Sequence, residues 1–386
     1  MNVRPFLPEA PESALADLRE RLARTRWPDG VEDGDWSRGT PLPILRELAE
    51  HWRTQFDWRK VEARIAALPN FVADVDGFQI HFLHVCGEGA APFPLIVTHG
   101  WPGSFLEMLE LAPRLANPSK EGADPADGFD VIVPSLPGYG YSQKPRAPGM
   151  HTKRIAELFG CLMSGLKYER FGAQGGDWGA TISTRLAMLF PDRVAGIHLN
   201  YIPGSYAPHT GEGARPLSPG EEKFLADRNR WLEEEGAYGH LQATRPQTLA
   251  YGLNDSPVGL LAWILEKLRN WSDCGGDVFA RFSADTLLAH VTLYWLTGTI
   301  GSSAALYAEA SAVPLRFGPG ERVPAPCGVA RFPKEEPMPP RDWAERAYDV
   351  VRWTEMPRGG HFAAMEEPSL LAADVREFFR PLRPRS

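Results

Sequence analysis

Five residues near the middle of the chain, Gly175-Gly176-Asp177-Trp178-Gly179, have the spacing of a nucleophile elbow. In such a turn a strand passes directly into a helix, and the flanking glycines let the central side chain project from the top of a sheet. The central residue here is an aspartate rather than the more usual serine. A carboxylate is already a nucleophile at neutral pH and can attack saturated carbon, which leaves an alkyl ester on the enzyme. These five residues alone also permit a simple helix-capping role for Asp177.

Hydrolysis of an alkyl ester requires a base and an oxyanion hole. His361 follows two glycines and lies between the last predicted strand and the last predicted helix, where elbow-containing folds place their base. A carboxylate should orient it. Glu335 is favoured because it follows a strand upstream of the histidine, and Glu336 and Asp349 are its competitors. The backbone N–H groups of Trp101, in the loop His99-Gly100-Trp101-Pro102, and of Trp178 are expected to form the oxyanion hole.

The elements around these residues alternate between strands and helices. Continuous apolar runs predict buried strands at 94–98, 129–133, 168–173 and 194–200, with helices at 153–166 and 180–190. This rhythm predicts an α/β fold with a mostly parallel sheet flanked by helices. It breaks after residue 205, where helices are expected at 219–235, 257–271 and 284–310. The sheet then resumes at 328–332 and 349–354, before a last helix at 369–379.

The first 90 residues form an N-terminal region without obvious chemistry. Ser13 is expected to cap a helix at 14–24, and further helices are expected at 42–55 and 58–68. Two strands flank Asp76-Gly77, a strong hairpin signal. His81 and His84 lie on the second strand, but no third ligand is near them in sequence, so packed side chains are favoured over a metal site. The predicted division is therefore 1–90, a core in two parts at 91–205 and 321–386, and an inserted helical lid at 206–320.

Composition excludes several classes of protein. The 386 residues are 43% hydrophobic and 11% aromatic, as expected of a folded globular chain. The net charge of −8 and the absence of a long basic block argue against nucleic acid as a partner. No apolar stretch approaches the roughly 20 residues that span a bilayer, and the N-terminus lacks an apolar signal block, so we expect no membrane anchor and a cytoplasmic location. The four scattered cysteines predict buried, reduced thiols.

Four blocks of the chain, in order, resemble signatures of the microsomal-type epoxide hydrolases of the α/β-hydrolase superfamily, and the N-terminal helices resemble the N-terminal domain of that family. The resemblance implies an α/β-hydrolase fold in which Asp177 is the nucleophile, His361 the base and Glu335 its partner. It also implies that the lid tyrosines Tyr307 and Tyr238 hold the epoxide oxygen and donate a proton. The blocks are His99-Gly100-Trp101-Pro102-Gly103-Ser104, Gly175-Gly176-Asp177-Trp178-Gly179, Leu253-Asn254-Asp255-Ser256-Pro257-Val258-Gly259-Leu260 and Gly359-Gly360-His361-Phe362-Ala363-Ala364.

The function that follows from this resemblance is the opening of an epoxide to a vicinal diol through an alkyl-aspartate ester. Contacts to the substrate are expected from His99, Pro102 and Trp295. No metal or organic cofactor is required, the partner is a small-molecule epoxide, and the aromatic lid is compatible with a bulky apolar one. A homo-oligomer is left open.

Three alternative functions differ from this prediction at identifiable residues. A haloalkane dehalogenase shares the Asp elbow, but the paired lid tyrosines disfavour it. An ordinary esterase is disfavoured by the aspartate itself. A catalytically silent ligand-binding relative would not need the complete set of Asp177, His361 and Glu335.

Overall fold

One sheet runs through the whole molecule. The computed structural model describes residues 1–30, 35–335 and 337–383, and within these ranges nine strands form the sheet in the order β1-β2-β3-β5-β4-β6-β7-β8-β9. The first three strands pair antiparallel, as do β3 and β5, and all the remaining neighbours are parallel. The predicted mostly parallel α/β sheet is confirmed. The strands are β1 Val3–Pro5, β2 Asn70–Val75, β3 Phe78–Val85, β4 Phe93–Thr98, β5 Phe129–Pro134, β6 Phe171–Gly175, β7 Val194–Leu199, β8 Pro326–Arg331 and β9 Asp349–Glu355.

Helices cover both faces of this sheet and continue into the lid. In the central strands the side chains on both faces are buried, among them Ile96 and Val97 of β4, which explains why these strands read as continuous apolar runs. The helices are α1 Glu12–Ala23, α2 Leu42–Thr54, α3 Trp58–Ala66, α4 Met108–Ala116, α5 Thr152–Gly165, α6 Asp177–Leu189, α7 Pro219–Glu234, α8 Ala237–Thr244, α9 Pro246–Leu253, α10 Pro257–Asn270, α11 Ala284–Thr297, α12 Ile300–Ser311, α13 Arg341–Ala344, α14 Ala363–Glu366 and α15 Pro368–Phe379. In the described ranges no helix has both the length and the apolar character needed to cross a membrane.

The N-terminal region extends the main sheet. Its predicted hairpin is confirmed, and both turn residues have positive φ, 47° at Asp76 and 77° at Gly77, as a tight two-residue turn between strands requires. The first helix differs from the prediction because it begins at Glu12, one residue after Pro11, so Ser13 lies inside α1 and does not cap it. Proline suits the start of a helix because N–H groups in the first turn have no intrahelical acceptor, so the N–H that proline lacks costs no hydrogen bond.

The lid contains more helices than the sequence predicted. The expected single helix at 284–310 is two helices, because α11 ends at Gly298, which adopts the left-handed conformation (φ 59°) of a helix C-terminus. Helices α8 and α9 were not predicted. Each has eight residues and contains a glycine, and Pro246 starts α9 directly after α8, so neither has a long apolar repeat. With these additional helix ends, α12 packs alongside both α8 and α9.

Two minor predictions about cysteine and histidine had different outcomes. Cys274 and Cys327 are buried, but Cys86 and Cys161 are exposed, so the prediction of four buried thiols was wrong for two of them; all four are free. His81 is buried and packed, with Nδ1 2.9 Å from Ser135 Oγ and Nε2 3.1 Å from Asn70 Oδ1. Within the described ranges no group of three or more His, Cys, Asp or Glu residues could hold a metal ion.

A buried ion pair fastens the lid to the second half of the core. Glu221, in the first turn of α7, accepts hydrogen bonds from Arg346 at 2.6 and 2.8 Å, and Arg215 also reaches it at 2.9 Å. The side chains of Glu221 and Arg346 are 0% and 3% exposed. Burial alone would raise the pKa of Glu221, but the arginines outweigh it and lower that pKa to about 2.

Replacing Glu221 with glutamine is expected to lower the free energy of unfolding by about 3 kcal/mol, because it leaves the buried Arg346 charge unpaired. Since the folded pKa lies below its ordinary value of 4.5, the stabilisation is present above pH 4.5 and fades as the pH falls toward 2. Denaturant unfolding at pH 7 measures the loss. Glu222→Gln, one residue along on the exposed side of α7, is the matched control. Equal stability of both variants and the parent would contradict this role for the ion pair.

Candidate active site

The predicted elbow joins β6 to α6. Asp177 is the first residue of α6 and has a left-handed backbone, with φ 47°. A non-glycine residue pays about 1 kcal/mol or more for this conformation. Position 179 requires glycine because it lies close to β4, where a Cβ would overlap the carbonyl oxygen of Thr98. The structure shows no side-chain cap at this helix start, so the simple capping role for Asp177 is not what its carboxylate performs.

The side chains of Asp177, His361 and Glu335 lie in a row. His361 Nε2 is 3.4 Å from Asp177 Oδ2, and its Nδ1 is 2.9 and 3.0 Å from the two carboxylate oxygens of Glu335. Glu335 follows β8, and His361 follows β9 and precedes α14, so both come from the ends of parallel strands at the edge where the elbow lies. Of the competing acids, Asp349 is exposed at the start of β9, and Glu336 lies outside the described residues.

Burial and charge act against each other in this row. Burial alone would lower the pKa of His361, but the Glu335 and Asp177 carboxylates outweigh it and hold that pKa well above its usual range. Burial raises the pKa of Glu335, and the neighbouring imidazole partly offsets the rise. The carboxylates on its two sides therefore favour the protonated form of His361 in the free protein.

The loop after β4 lies against Asp177. The backbone N–H of Trp101 donates a hydrogen bond of 2.8 Å to Asp177 Oδ1. The approach is close enough that a Cβ at Gly100 would overlap the Asp177 side chain. Trp178 follows Asp177 in the first turn of α6. A backbone donor is thus already aimed at the oxygen on which charge would develop in a tetrahedral intermediate.

Two lid tyrosines meet edge to face near Asp177. Tyr238 on α8 and Tyr307 on α12 have ring centroids 5.8 Å apart. The Tyr238 ring stacks on Trp101 at 5.2 Å, and Tyr307 meets Trp178 edge-on at 4.8 Å. Burial, reinforced by the Asp177 charge, raises the pKa of Tyr238, and burial likewise raises the pKa of Tyr307. Both phenols therefore remain protonated at neutral pH.

A cavity of about 830 Å³ is lined by these tyrosines and by Asp177. Its apolar wall comes mainly from the aromatic rings of Trp178, Trp231 and Tyr201 together with Leu232 of α7. Polar side chains, among them Arg316, complete the lining. A pocket of this size accommodates a drug-sized organic molecule with its reactive carbon beside Asp177.

Comparison with known proteins agrees with this geometry. The family described as "Epoxide hydrolase N terminus" matches residues 3–108, and the family described as "alpha/beta hydrolase fold" matches residues 94–241. A relative from Stigmatella aurantiaca is 44% identical over 99% of this chain and 86% of its own length. Epoxide hydrolase 1 of Oryctolagus cuniculus is 36% identical over 98% of this chain and 88% of its own length. The chain belongs to the epoxide hydrolase family. The solved structure of Aspergillus niger epoxide hydrolase superimposes with a TM-score of 0.86 at 30% identity, covering 99% of this chain and 97% of that one.

Three residues expected to contact substrate in this epoxide hydrolase do not line the large cavity. His99 is buried. Its Nδ1 lies 3.0 Å from Gly100 O and its Nε2 accepts from Leu136 N–H at 3.2 Å, so both ring nitrogens are hydrogen-bonded to the backbone. Pro102 follows Trp101 within the same loop. Trp295 lies on α11 under the guanidinium of Arg21, 5.6 Å from the ring centroid, at the contact between lid and N-terminal region. Contact of these three residues with substrate therefore stays a prediction, since a motif places a loop at the site without specifying which of its side chains point into it.

Sequence reasoning missed one acid, Glu366, that holds the backbone around His361. The Glu366 side chain, on α14, accepts hydrogen bonds from the backbone N–H groups of Gly360 and Phe362, on either side of His361, at 3.1 and 3.0 Å. It also accepts from Asp273 N–H of the lid at 2.7 Å. Burial raises the pKa of this carboxyl to about 7 even though it has three donors. Its position five residues after the histidine, in a short helix, gave no signal of its role.

Proposed function

We propose that this protein hydrolyses an epoxide to a vicinal diol through a covalent ester on Asp177. The observation that carries the proposal is the arrangement of one carboxylate with a buried His–Glu pair on one side and two phenols on the other. A nucleophile for carbon, a base for water and an acid for the epoxide oxygen are the three groups that this reaction needs. The family name of the relatives is consistent with the same reaction. No step requires a cofactor.

In the first step an oxygen of Asp177 attacks an epoxide carbon, and the strained C–O bond breaks. Tyr238 and Tyr307 hold the departing oxygen, and one of them gives it a proton. A buried phenol suits this step because it is protonated at neutral pH, whereas the alkoxide that forms is far more basic. The tyrosinate then regains a proton from solvent in the large cavity, and His361 gives up its own proton to solvent.

Formation of the ester changes the charge next to His361. The Asp177 carboxylate that helped to hold His361 protonated is now a neutral ester, so the pKa of His361 falls and the neutral imidazole becomes available as a base. It takes a proton from water, whose oxygen attacks Cγ of Asp177, while the N–H groups of Trp101 and Trp178 bind the oxyanion. Collapse breaks the Cγ–O(alkyl) bond, His361 protonates the leaving oxygen, and the new carboxyl returns its proton to His361.

Heavy-oxygen water tests the covalent route. One turnover with excess enzyme in H₂¹⁸O is expected to place the label in the Asp177 side chain, which peptide mass spectrometry detects, and to leave the first diol unlabelled. Direct attack by water on the epoxide predicts the opposite, with label in the diol and none in the protein. That opposite result would remove the ester mechanism while leaving epoxide hydrolysis itself intact.

Tyr307→Phe is expected to slow formation of the ester by about 10²-fold, the lower end of what a positioned acid contributes, because Tyr238 remains. Tyr238→Phe is expected to behave alike, since its ring lines the same cavity. Quenched-flow measurement of the alkylated enzyme checks both. Tyr251→Phe, on α9 with a side chain that is mostly exposed, is the matched control. If alkylation by Tyr307→Phe were as fast as by the control, Tyr307 would not be the acid.

A second candidate function, dehalogenation of haloalkanes, is suggested by one observation. The indole Nε1 atoms of Trp101 and Trp178 are buried, that of Trp101 has no hydrogen-bond partner among the described residues, and that of Trp178 has only a weak interaction with Tyr139. Such N–H groups could receive a halide leaving group. Paired phenols are needed only when the leaving oxygen must be protonated, so epoxide hydrolysis is the better fit. Chloride release from 1-chlorobutane, measured beside diol formation, decides between them.

We also propose the four-part division into residues 1–90, 91–205, 206–320 and 321–386. Strand β4 begins at Phe93, helices α7 to α12 all fall within the third part, and β8 begins at Pro326. These positions support boundaries in the connecting segments rather than inside elements.

A further inference from the structure

Two cavities meet at the nucleophile. Besides the large one, a second cavity of about 20 Å³ lies on the other side of Asp177. Among the described residues Asp177 is the one that lines both. His361 borders the small cavity and not the large one, whereas Tyr238 and Tyr307 border the large cavity and not the small one. The base and the acids of the proposed reaction therefore act from opposite sides of the same carboxylate.

This separation restricts where water can attack. Once the ester has formed, the alkyl group attached to Asp177 occupies the large cavity. The water that hydrolyses the ester has to contact both Cγ of Asp177 and Nε2 of His361, and His361 faces the small cavity. A volume of 20 Å³ suits one water molecule, since about 10–15 Å³ is the smallest space that holds one.

Two residues that line the small cavity have buried polar atoms without a partner. Thr98, on β4, and Gln174, on β6, are 0% and 1% exposed, and the atoms concerned are Thr98 Oγ1 and Gln174 Oε1. Neither atom has a hydrogen-bond partner among residues 1–30, 35–335 and 337–383. Gln174 Nε2 donates to Asn200 Oδ1 at 2.9 Å, which leaves Oε1 as the free acceptor. Buried water generally requires two to four such partners.

Glu107 also lines the small cavity. Its Oε1 accepts a hydrogen bond of 3.0 Å from Ser104 N–H, which fixes the carboxyl beside the loop that carries Trp101. Burial raises the pKa of Glu107 to about 8, and the Asp177 charge adds to the rise against the opposing effect of His361. At neutral pH Glu107 is thus a neutral acid that can accept at one oxygen and donate from the other.

We infer that the small cavity holds the hydrolytic water, and that Thr98, Gln174 and Glu107 are positioning residues that orient it toward the Asp177 ester. The inference rests on the proposed function. The water gives one proton to His361 Nε2 as its oxygen bonds to Cγ of Asp177. The Cγ–O(alkyl) bond then breaks, and the proton on His361 passes to the released diol oxygen.

Thr98→Val and Glu107→Met test this placement, because each removes polar atoms at nearly constant shape. Each is expected to slow decay of the isolated alkyl-enzyme about 10-fold, as loss of one hydrogen bond to a reacting group does, and to change the alkylation rate less than twofold. Glu107→Gln is expected to restore decay, because a neutral amide also accepts at one atom and donates from the other. Quenched flow with intact-protein mass spectrometry, using styrene oxide as the probe, gives both rates.

Thr292→Val is the matched control, since the Thr292 hydroxyl is buried on α11 and bonded to Leu288 O. It is expected to leave both rates unchanged. If ester decay in Thr98→Val and Glu107→Met matched the wild type, or if alkylation fell as much as decay, the water would not be held here. Wild-type enzyme that formed diol without any ester would refute the proposed mechanism and this inference together, which the wild-type traces reveal before any variant is compared.

Discussion

Asp177→Ala is expected to lower kcat on the order of 10⁵-fold, comparable to removal of the nucleophile from other covalent hydrolases. The reason is that no other described carboxylate has the same surroundings: Glu335 is hydrogen-bonded to His361 and does not line the large cavity. Glu233 does line that cavity, but it is an exposed residue of α7. Chiral chromatography of the diol from a reactive terminal epoxide, under saturating substrate, measures the loss. Intact-protein mass spectrometry should find no alkylated enzyme.

The control for this variant is Asp192→Ala, an exposed aspartate in the loop after α6. Both variants should melt within a few degrees of the parent, because alanine at position 177 retains the left-handed conformation at a cost of only about 1–2 kcal/mol. Diol formation by folded Asp177→Ala within tenfold of the control would exclude the carboxylate as nucleophile.

His361→Gln is expected to stop turnover at the ester. Attack by Asp177 does not need the base, so alkylation should proceed, whereas hydrolysis should slow by about 10³-fold, the middle of the range for general base catalysis. The measurement is a single burst of epoxide consumption, equal to the enzyme concentration, with a matching mass increase on the protein. Glutamine also removes a positive charge next to Asp177, so a modest change in the alkylation rate is compatible with the prediction.

His209→Gln, in the loop between β7 and α7 and outside the lining of both cavities, should turn over like the parent. Steady turnover by His361→Gln without accumulated adduct would contradict the assignment of the base. A burst smaller than the enzyme concentration in a fully folded sample would instead show that His361 takes part in the first step.

The elbow could be read from sequence because its chemistry and its geometry are encoded in adjacent residues. The glycines around Asp177 are needed for close approach, of Gly179 to Thr98 and of Gly176 to Asn200, and the apolar runs on either side give the strand and the helix. His361 was found for the same reason, since it follows glycines at a predictable place in the chain order. Glu335 was favoured over its competitors only modestly by sequence, and its selection needed the distance to His361.

The parts that sequence missed depend on contacts between distant segments. Helix α8 has little apolar periodicity, and the packing of its Tyr238 on Trp101, a contact between distant segments, is not visible in the pattern of its own residues. In the sequence Gly298 interrupts a long helical pattern at a single position. In the structure it ends α11, so Tyr307 lies on a separate helix, α12. Glu107 reads as an ordinary charge in an amphipathic segment, and only the fold shows that it is buried beside the nucleophile.

The two outermost strands of the sheet have a consequence for self-association. Strand β1 has three residues and ends in Pro5, which offers no N–H to a neighbouring strand, and Arg4 precedes it. At the other edge Arg341 donates to the carbonyl of Val350 on β9 at 3.2 Å, and the strand carries the charged Arg352 and Glu355. Edge strands that are short, contain proline or carry charged side chains oppose edge-to-edge pairing and fibril growth. Any dimer of this chain is therefore expected to form through its helical surfaces, with the sheet ending within each copy.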